Sequence, residues 1–211
     1  MNAHDEFHPL TNRCSGPAAP AAERWRWGSM GLLATVLVCF LMTSSTASAE
    51  MERIAIPTDQ GMSLHWWPKL FPVPGWHHER EQSLQLGVNA LAPDGATFED
   101  AQTVMYAKAA YRPREPDTKS LDVFIEKDKK EFLAKSPAVV IKEAGFLTTA
   151  DGKRLRSFTF FPTGTGNWER VAYGEEGESY LVFAMSSRSL NGYKAALKAY
   201  EQLVGRYKEK P

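Results

Sequence analysis

Downstream of residue 49, the stretch PGWHHERE is the only place where two histidines and two carboxylates lie together. Imidazole nitrogens and carboxylate oxygens are zinc ligands, and they also act as general acids and bases. Together with a histidine upstream, the stretch suggests a metal site built from His65, His77, His78 and Glu79. A zinc site needs three or four ligands on one scaffold. The hypothesis therefore requires two N-terminal segments to be neighbours.

The same stretch has a structural alternative. Adjacent His77 and His78 point to opposite faces of an extended segment, so they cannot readily bind one ion. The spacing also differs from the H-E-x-x-H of a helical zinc site. The alternative is the polar entry of a strand after the Pro74-Gly75 turn, with Trp76 anchoring it in the core. The sequence leaves both interpretations open.

Four aromatic residues lie in or beside a proline-rich segment and form a candidate binding platform: Trp66, Trp67, Phe71 and Trp76. Three prolines in PKLFPVPG forbid regular structure there. An exposed group of rings is a surface for a glycan, a peptide or a lipid. The alternative is a loop whose rings pack over one end of the core.

The remaining motifs favour loops and turns over catalysis. PTGTGNW lacks the lysine that a phosphate-binding loop needs. GEEGE offers three carboxylates, whereas calcium takes six to eight oxygens. No G-x-S-x-G nucleophile elbow is present. The sequence therefore predicts a protein that is not an enzyme and uses no cofactor.

The N-terminus has the pattern of a secretory signal peptide. Arg24 and Arg26 precede the uncharged stretch Met30 to Met42, and an A-x-A pattern ends at Ala49. The apolar stretch is shorter than the about 20 residues that span a membrane. We therefore predict residues 1–49 as a disordered N-terminus and signal peptide, with no stable membrane anchor after cleavage. An uncleaved anchor is the alternative.

Composition narrows the function of residues 50–211. Cys14 and Cys39 both precede the predicted cleavage point, so the mature chain has no disulfide, catalytic thiol or cysteine metal ligand. Acidic and basic residues balance at 25 each over the whole chain, and at 22 each over residues 50–211. A neutral chain has no long-range attraction for nucleic acid or anionic lipid.

In the first half of the mature chain, the pattern predicts strands interrupted by prolines and turns. We predict a polar lead-in over Met51 to Gln60 and strands over Met62 to Trp67, Gln82 to Leu91 and Thr103 to Tyr111. Pro93 to Gly95 is a turn, and Thr97 to Asp100 opens a short helical turn.

The second half predicts two helices around four strands. Asp117 or Thr118 caps the first helix, which Ser136-Pro137 ends. Four strands follow, with a hairpin at Asp151-Gly152. SYLVFAMSS is apolar on both faces, which indicates a strand in the middle of the sheet under a helix. Ser189 caps a C-terminal amphipathic helix. The prediction is an α+β fold, an antiparallel sheet with helices packed on it, as a single domain over residues 50–211.

The stretch AYGEEGESYLVFAMSSRS, followed by an amphipathic helix, resembles the last hairpin and helix of the PsbP/Mog1-like superfamily. PGWHHE, LGVNALAPDG and VMYAKA resemble its N-terminal half, as in secreted bacterial members. The resemblance implies an α/β sandwich and an accessory or binding role. It implies no shared active site.

These observations favour a secreted or periplasmic, non-enzymatic accessory or binding module. Its partner would be an envelope protein or a small ligand. The alternative is a small metal-binding protein or metal-dependent enzyme that uses His65, His77 and His78.

Overall fold

The computed structural model describes residues 51–59 and 61–208, which contain nine β-strands and three α-helices. The strands are β1 (Met51–Thr58), β2 (Gly61–Pro68), β3 (Trp76–His78), β4 (Asn89–Pro93), β5 (Thr103–Tyr111), β6 (Val139–Thr148), β7 (Arg154–Pro162), β8 (Trp168–Glu176) and β9 (Ser179–Ser187). The helices are α1 (Arg80–Leu86), α2 (Leu121–Lys135) and α3 (Leu190–Arg206). The disordered N-terminus and signal peptide predicted for residues 1–49 lie outside the described residues.

The strands form one antiparallel sheet in the order β1-β2-β5-β9-β8-β7-β6, and β4 joins β5 and β3 beside this path. Strands β6 to β9 are a meander of consecutive hairpins, so their connections are short. β9 pairs with the full length of β5. The other edge of β5 is shared by β4 and by the end of β2.

The middle strand β9 is buried along its whole length, because both faces of the sheet are covered. Residues such as Phe183 and Met185 pack in a core with the buried face of α3. The alternate residues Val182 and Ala184 pack in a second core with Phe124 of α2. Successive side chains of a strand point to opposite faces, so α2 and α3 cover opposite faces of the sheet. The predicted α+β class, with an antiparallel sheet and packed helices, is confirmed.

The segment predicted as a strand over Gln82 to Leu91 is instead α1 followed by β4. The period of two at Leu84 and Leu86 suggested a buried strand face, but Leu86 is 51% exposed. The helix ends at Gly87, which adopts the left-handed conformation with φ of 66°. Glycine reaches this conformation without a Cβ penalty, so it stops the helix and starts the turn into β4.

Two further predictions at element starts are wrong. Met51 to Gln60 was expected to be a polar lead-in, but it contains the strand β1, which pairs with β2 along its length. β1 lies at the edge of the sheet, and its residues 51–57 are exposed or only partly buried, so its sequence lacks the apolar face that marks an inner strand. The cap of α2 is Ser120, not Asp117 or Thr118, because the Ser120 side chain accepts a hydrogen bond from the Val123 backbone.

No helix within residues 51–59 and 61–208 combines the length and the apolar character needed to cross a membrane.

Candidate functional site

A cleft of about 450 Å³ lies between the β1–β2 ribbon, the proline-rich segment after β2, and α1. Each of these three parts of the chain contributes one wall. The floor is apolar and the rim is polar, which is the usual composition of a small-ligand site.

The ribbon wall is positioned by the register of β1 and β2. Glu52 lies directly opposite Trp67, and Ile54 lies opposite His65. The Trp67 indole Nε1–H donates a hydrogen bond of 3.1 Å to Glu52 Oε2. Trp67 is 4% exposed. The buried ring and its single polar atom are therefore fixed in one orientation before any ligand arrives.

The proline-rich segment is irregular, yet the fold holds it at three carbonyl groups. His78 Nε2 donates to the Leu70 carbonyl at 2.8 Å, and Asn89 Nδ2 donates to the Pro68 carbonyl at 2.9 Å. Arg206, at the end of α3, donates to the Pro72 carbonyl at 3.0 Å. These donors come from three different elements, so the segment is a preformed wall and not a loose loop.

Phe71 stands out from this wall. Its neighbours Leu70 and Val73 are 3% and 1% exposed and anchor the segment in the core. Phe71 itself is 44% exposed and lines the cleft. An exposed ring beside the buried Trp67 gives a ligand an apolar surface at the cleft mouth.

The third wall is α1, whose position depends on a close approach to β2. A Cβ atom added at Gly87 would lie 2.2 Å from Nδ1 of His65. Only glycine lets the end of α1 pack this closely on β2. The helix thereby places Arg80 and Leu84 on the cleft.

The charge on the cleft rim is mainly positive. Lys69 and Arg80 are exposed and line the cleft. Neither of them forms an ion pair with a described residue. Glu52 is the acidic lining residue, and one of its oxygens already accepts from Trp67. Two available cations beside an apolar floor fit a ligand that has an apolar body and an anionic group.

The four predicted aromatic residues divide between the cleft and other surroundings. Trp67 and Phe71 line the cleft. Trp66 points to the other face of the ribbon, where it stacks on Tyr111 with ring centroids 5.0 Å apart. Trp76 is partly buried and packs against the core under α3.

The structure does not bring the three histidines into one ligand set. His65 Nε2 lies 3.0 Å from the Ser63 hydroxyl. His77 Nε2 lies 2.7 Å from Glu79 Oε1, and its other nitrogen lies 3.5 Å from Asp94. His78 donates its hydrogen bond to the Leu70 carbonyl. Within residues 51–59 and 61–208, no group of three or more His, Cys, Asp or Glu side chains is arranged to hold a metal ion.

Sequence reasoning missed most of the polar cleft residues, namely Glu52, Lys69, Arg80 and Asn89. Glu52 would have required recognising β1 and its register with β2. Arg80 would have required recognising α1. The one readable signal was the proline spacing, which places Lys69 and Phe71 in a segment without regular structure.

No protein-family model matches this chain, and no curated protein matches it.

Proposed function

We propose that this chain is a secreted or periplasmic, non-enzymatic binding module. Its ligand site is the cleft described above, which Trp67 and Phe71 line and which we call the Trp67–Phe71 cleft. The observation that carries the proposal is the cleft itself. It has an apolar floor in a volume of about 450 Å³, walls fixed by hydrogen bonds from three elements, and two rim cations that form no ion pair with any described residue. A preformed site loses little entropy on binding.

The ligand that fits is an amphipathic anion, either free or as a group on an envelope protein. Its apolar body would contact Trp67 and Phe71, and its carboxylate or phosphate would reach Lys69 and Arg80. Nucleic acid is not proposed, because the chain is neutral overall.

The test uses protein purified in the form that its host exports. The protein is titrated with 2-naphthoate and with the uncharged analogue 2-naphthol, and the two affinities are compared. We expect 2-naphthoate to bind, and Phe71→Ala to weaken it roughly tenfold through lost apolar contact. Gln at both Lys69 and Arg80 should weaken 2-naphthoate but not 2-naphthol.

Matched controls exist on other surfaces of the chain. Phe146 is 48% exposed, close to the exposure of Phe71, and Lys198 is an exposed lysine of α3. Phe146→Ala and Lys198→Gln should leave binding unchanged. Equal affinities for the naphthol and the naphthoate, or no effect of Phe71→Ala, would count against the cleft as the site.

We also propose that the fold is PsbP/Mog1-like and that the leader is cleaved near Ala49. The antiparallel sheet with helices on it supports the first point at the level of fold class. An experimental structure with the same strand order as a secreted member of that superfamily would test it. The intact mass of the exported protein tests the leader, since cleavage requires a mature start at or near Glu50.

A further inference from the structure

A second cavity, of about 220 Å³, lies between the C-terminal half of α2 and strands β5, β7, β8 and β9. Its floor is set by the register of the strands. Ala184 of β9 pairs with Tyr106 of β5 on one side and Val171 of β8 on the other. The small alanine between two larger side chains leaves a depression in the sheet.

The Glu169 carboxylate lines this cavity from β8 and belongs to a buried residue. The residue is 9% exposed, and the Ser186 hydroxyl donates to Glu169 Oε1 at 2.9 Å. No described residue donates a hydrogen bond to Oε2, and no described Lys or Arg forms an ion pair with this carboxylate. A buried carboxylate normally has its charge paired. Glu169 therefore lines the cavity as a carboxylate that no described Lys or Arg side chain pairs with.

A second carboxylate faces the same space from α2. Asp128 Oδ2 accepts a hydrogen bond of 2.7 Å from the Tyr173 hydroxyl, and Asp128 Oδ1 lies 3.8 Å from Lys108 Nζ. Burial raises the pKa of Glu169 to about 7, and the Asp128 charge adds to that rise. The two carboxylates thus act on each other across the cavity.

Tyr106 provides a further polar atom. It lines this cavity and also the neighbouring one of about 220 Å³ beside Ser186 and Asn167. Within the described part of the chain, its hydroxyl makes no hydrogen bond, so its oxygen can accept one from a ligand.

The other walls are apolar and aromatic. Phe132 of α2 and Phe160 of β7 line the cavity with ring centroids 4.7 Å apart, and Val182 lies beside them. Aromatic faces attract cations. A metal ion is a poor fit, because hard cations take six or more oxygen ligands and these walls offer few. An organic cation uses both the carboxylate and the rings.

The remaining charged groups of the cavity lie on β5 and α2. Lys108 is paired with Asp128, while Glu131 and Lys135 are exposed at the rim. The acidic groups outnumber the basic ones, three to two, and Glu169 is the most buried of them. The interior therefore favours positive charge.

We infer that this cavity binds the protonated amine of a small organic cation, with Glu169 as counter-ion, the Tyr106 hydroxyl as a second acceptor, and the Phe132–Phe160 wall around its apolar body. This site is separate from the Trp67–Phe71 cleft and takes a ligand of the opposite charge.

The experiment titrates the protein, purified as its host exports it, with n-butylamine and with n-butanol as the uncharged molecule of nearly the same shape. Binding is followed by calorimetry and by NMR shifts of the Tyr106 and Ser186 amides. At about pH 8.5 we expect n-butylamine to bind at least tenfold more tightly than n-butanol. At about pH 6 the binding should weaken, because Glu169 is then protonated.

Glu169→Gln keeps the shape and removes the charge, so it should weaken n-butylamine at least tenfold and leave n-butanol unchanged. Tyr106→Phe removes only the hydroxyl and provides a second variant that retains the core packing. Glu178→Gln, at the exposed β8–β9 turn, is the matched control and should bind as the natural protein does.

Three results would overturn the inference. They are equal affinity for n-butylamine and n-butanol, a loss of less than tenfold in Glu169→Gln, or tighter binding of magnesium ion than of n-butylamine at the same amides.

Discussion

The Trp67–Phe71 cleft and the Glu169 cavity are two concave sites in one chain that hold their charges in opposite ways. The cleft keeps Lys69 and Arg80 on an exposed rim, where water and salt screen them. The cavity keeps Glu169 nearly buried, where it has lost most of its hydration. The first arrangement has little effect on stability when the site is empty. The second arrangement destabilises the fold. Natural proteins tolerate such a loss of stability mainly at functional positions.

The largest expected effect is a pH dependence of the free energy of unfolding, which comes from the Glu169 cavity and not from the cleft. Burial raises the pKa of Glu169 from 4.5 to about 7. Well below pH 4.5, Glu169 is protonated in both folded and unfolded chains and has no effect. Between those values the unfolded chain releases a proton that the folded chain retains, so stability falls as pH rises. Above pH 7 the loss is complete. Glu169→Gln should therefore raise the free energy of unfolding by about 3 kcal/mol at pH 8.

Urea unfolding at about pH 4.5 and about pH 8 measures this difference. The gain in Glu169→Gln should be small at the lower pH and full at the higher one. Glu178→Gln is the control and should change stability little at either pH. An equal gain at both values would mean that packing, not charge, distinguishes the variant.

A smaller effect tests how the cleft is held together. Gly87→Ala should cost about 2 kcal/mol, because Gly87 has a φ of 66° and a new Cβ would meet the His65 ring. Gly95→Ala is the matched control, since Gly95 has a φ of 82° and no atom of the described residues lies within 4 Å of its added Cβ. It should cost only about 1 kcal/mol, from backbone strain alone. Equal losses in thermal unfolding would show that the approach of α1 to His65 adds nothing.

The two adjacent histidines give a still smaller contrast. His78 holds the proline-rich segment, whereas His77 pairs with Glu79 and Asp94. We expect His78→Ala to cost about 1 kcal/mol and to weaken 2-naphthoate binding. His77→Ala should cost only a few tenths of a kcal/mol, roughly the contribution of a surface pair. Unfolding midpoints and naphthoate affinities of both variants check the difference. A larger loss in His77→Ala would reverse these roles.

The smallest expected signal is metal content. The proposed binding module predicts well under one equivalent of transition metal in protein purified without chelator. Elemental analysis of the natural protein, His77→Ala and His78→Ala tests this. Metal near one equivalent that is lost in either variant would favour the alternative, a metal-binding protein that uses His65, His77 and His78.

Much of the second half could be predicted from the sequence because its signals are local. Asp151-Gly152 marks a hairpin turn, Ser189 caps α3, and the apolar run of β9 indicates burial on both faces. Each depends on residues within a few positions of one another. The predictions for the first half failed where tertiary contacts decide the structure. α1 has a strand-like pattern, and β1 is an edge strand whose residues 51–57 are exposed or only partly buried.

The two sites differ in how much the sequence could reveal. The aromatic and proline content pointed to the Trp67–Phe71 cleft, although Glu52 and Arg80 depended on elements that were assigned wrongly. The Glu169 cavity was missed, yet β8 contained a signal. Glu169, Val171 and Tyr173 alternate along one face of the strand, so a carboxylate occupies a position that the pattern assigns to the core.

The sheet order also bears on the sequence of folding events. β5 pairs with β9, and the Thr103 hydroxyl donates a hydrogen bond to the Ser187 hydroxyl, which lies 84 residues later in the chain. The β6–β9 hairpins close over short loops, whereas the partner of β5 comes last among the strands. Pulse-labelled hydrogen exchange should therefore protect β7 and β8 before β4. We therefore expect the N-terminal half, cleft included, to acquire its native structure only after β9 has been synthesised, which is late in a nascent chain.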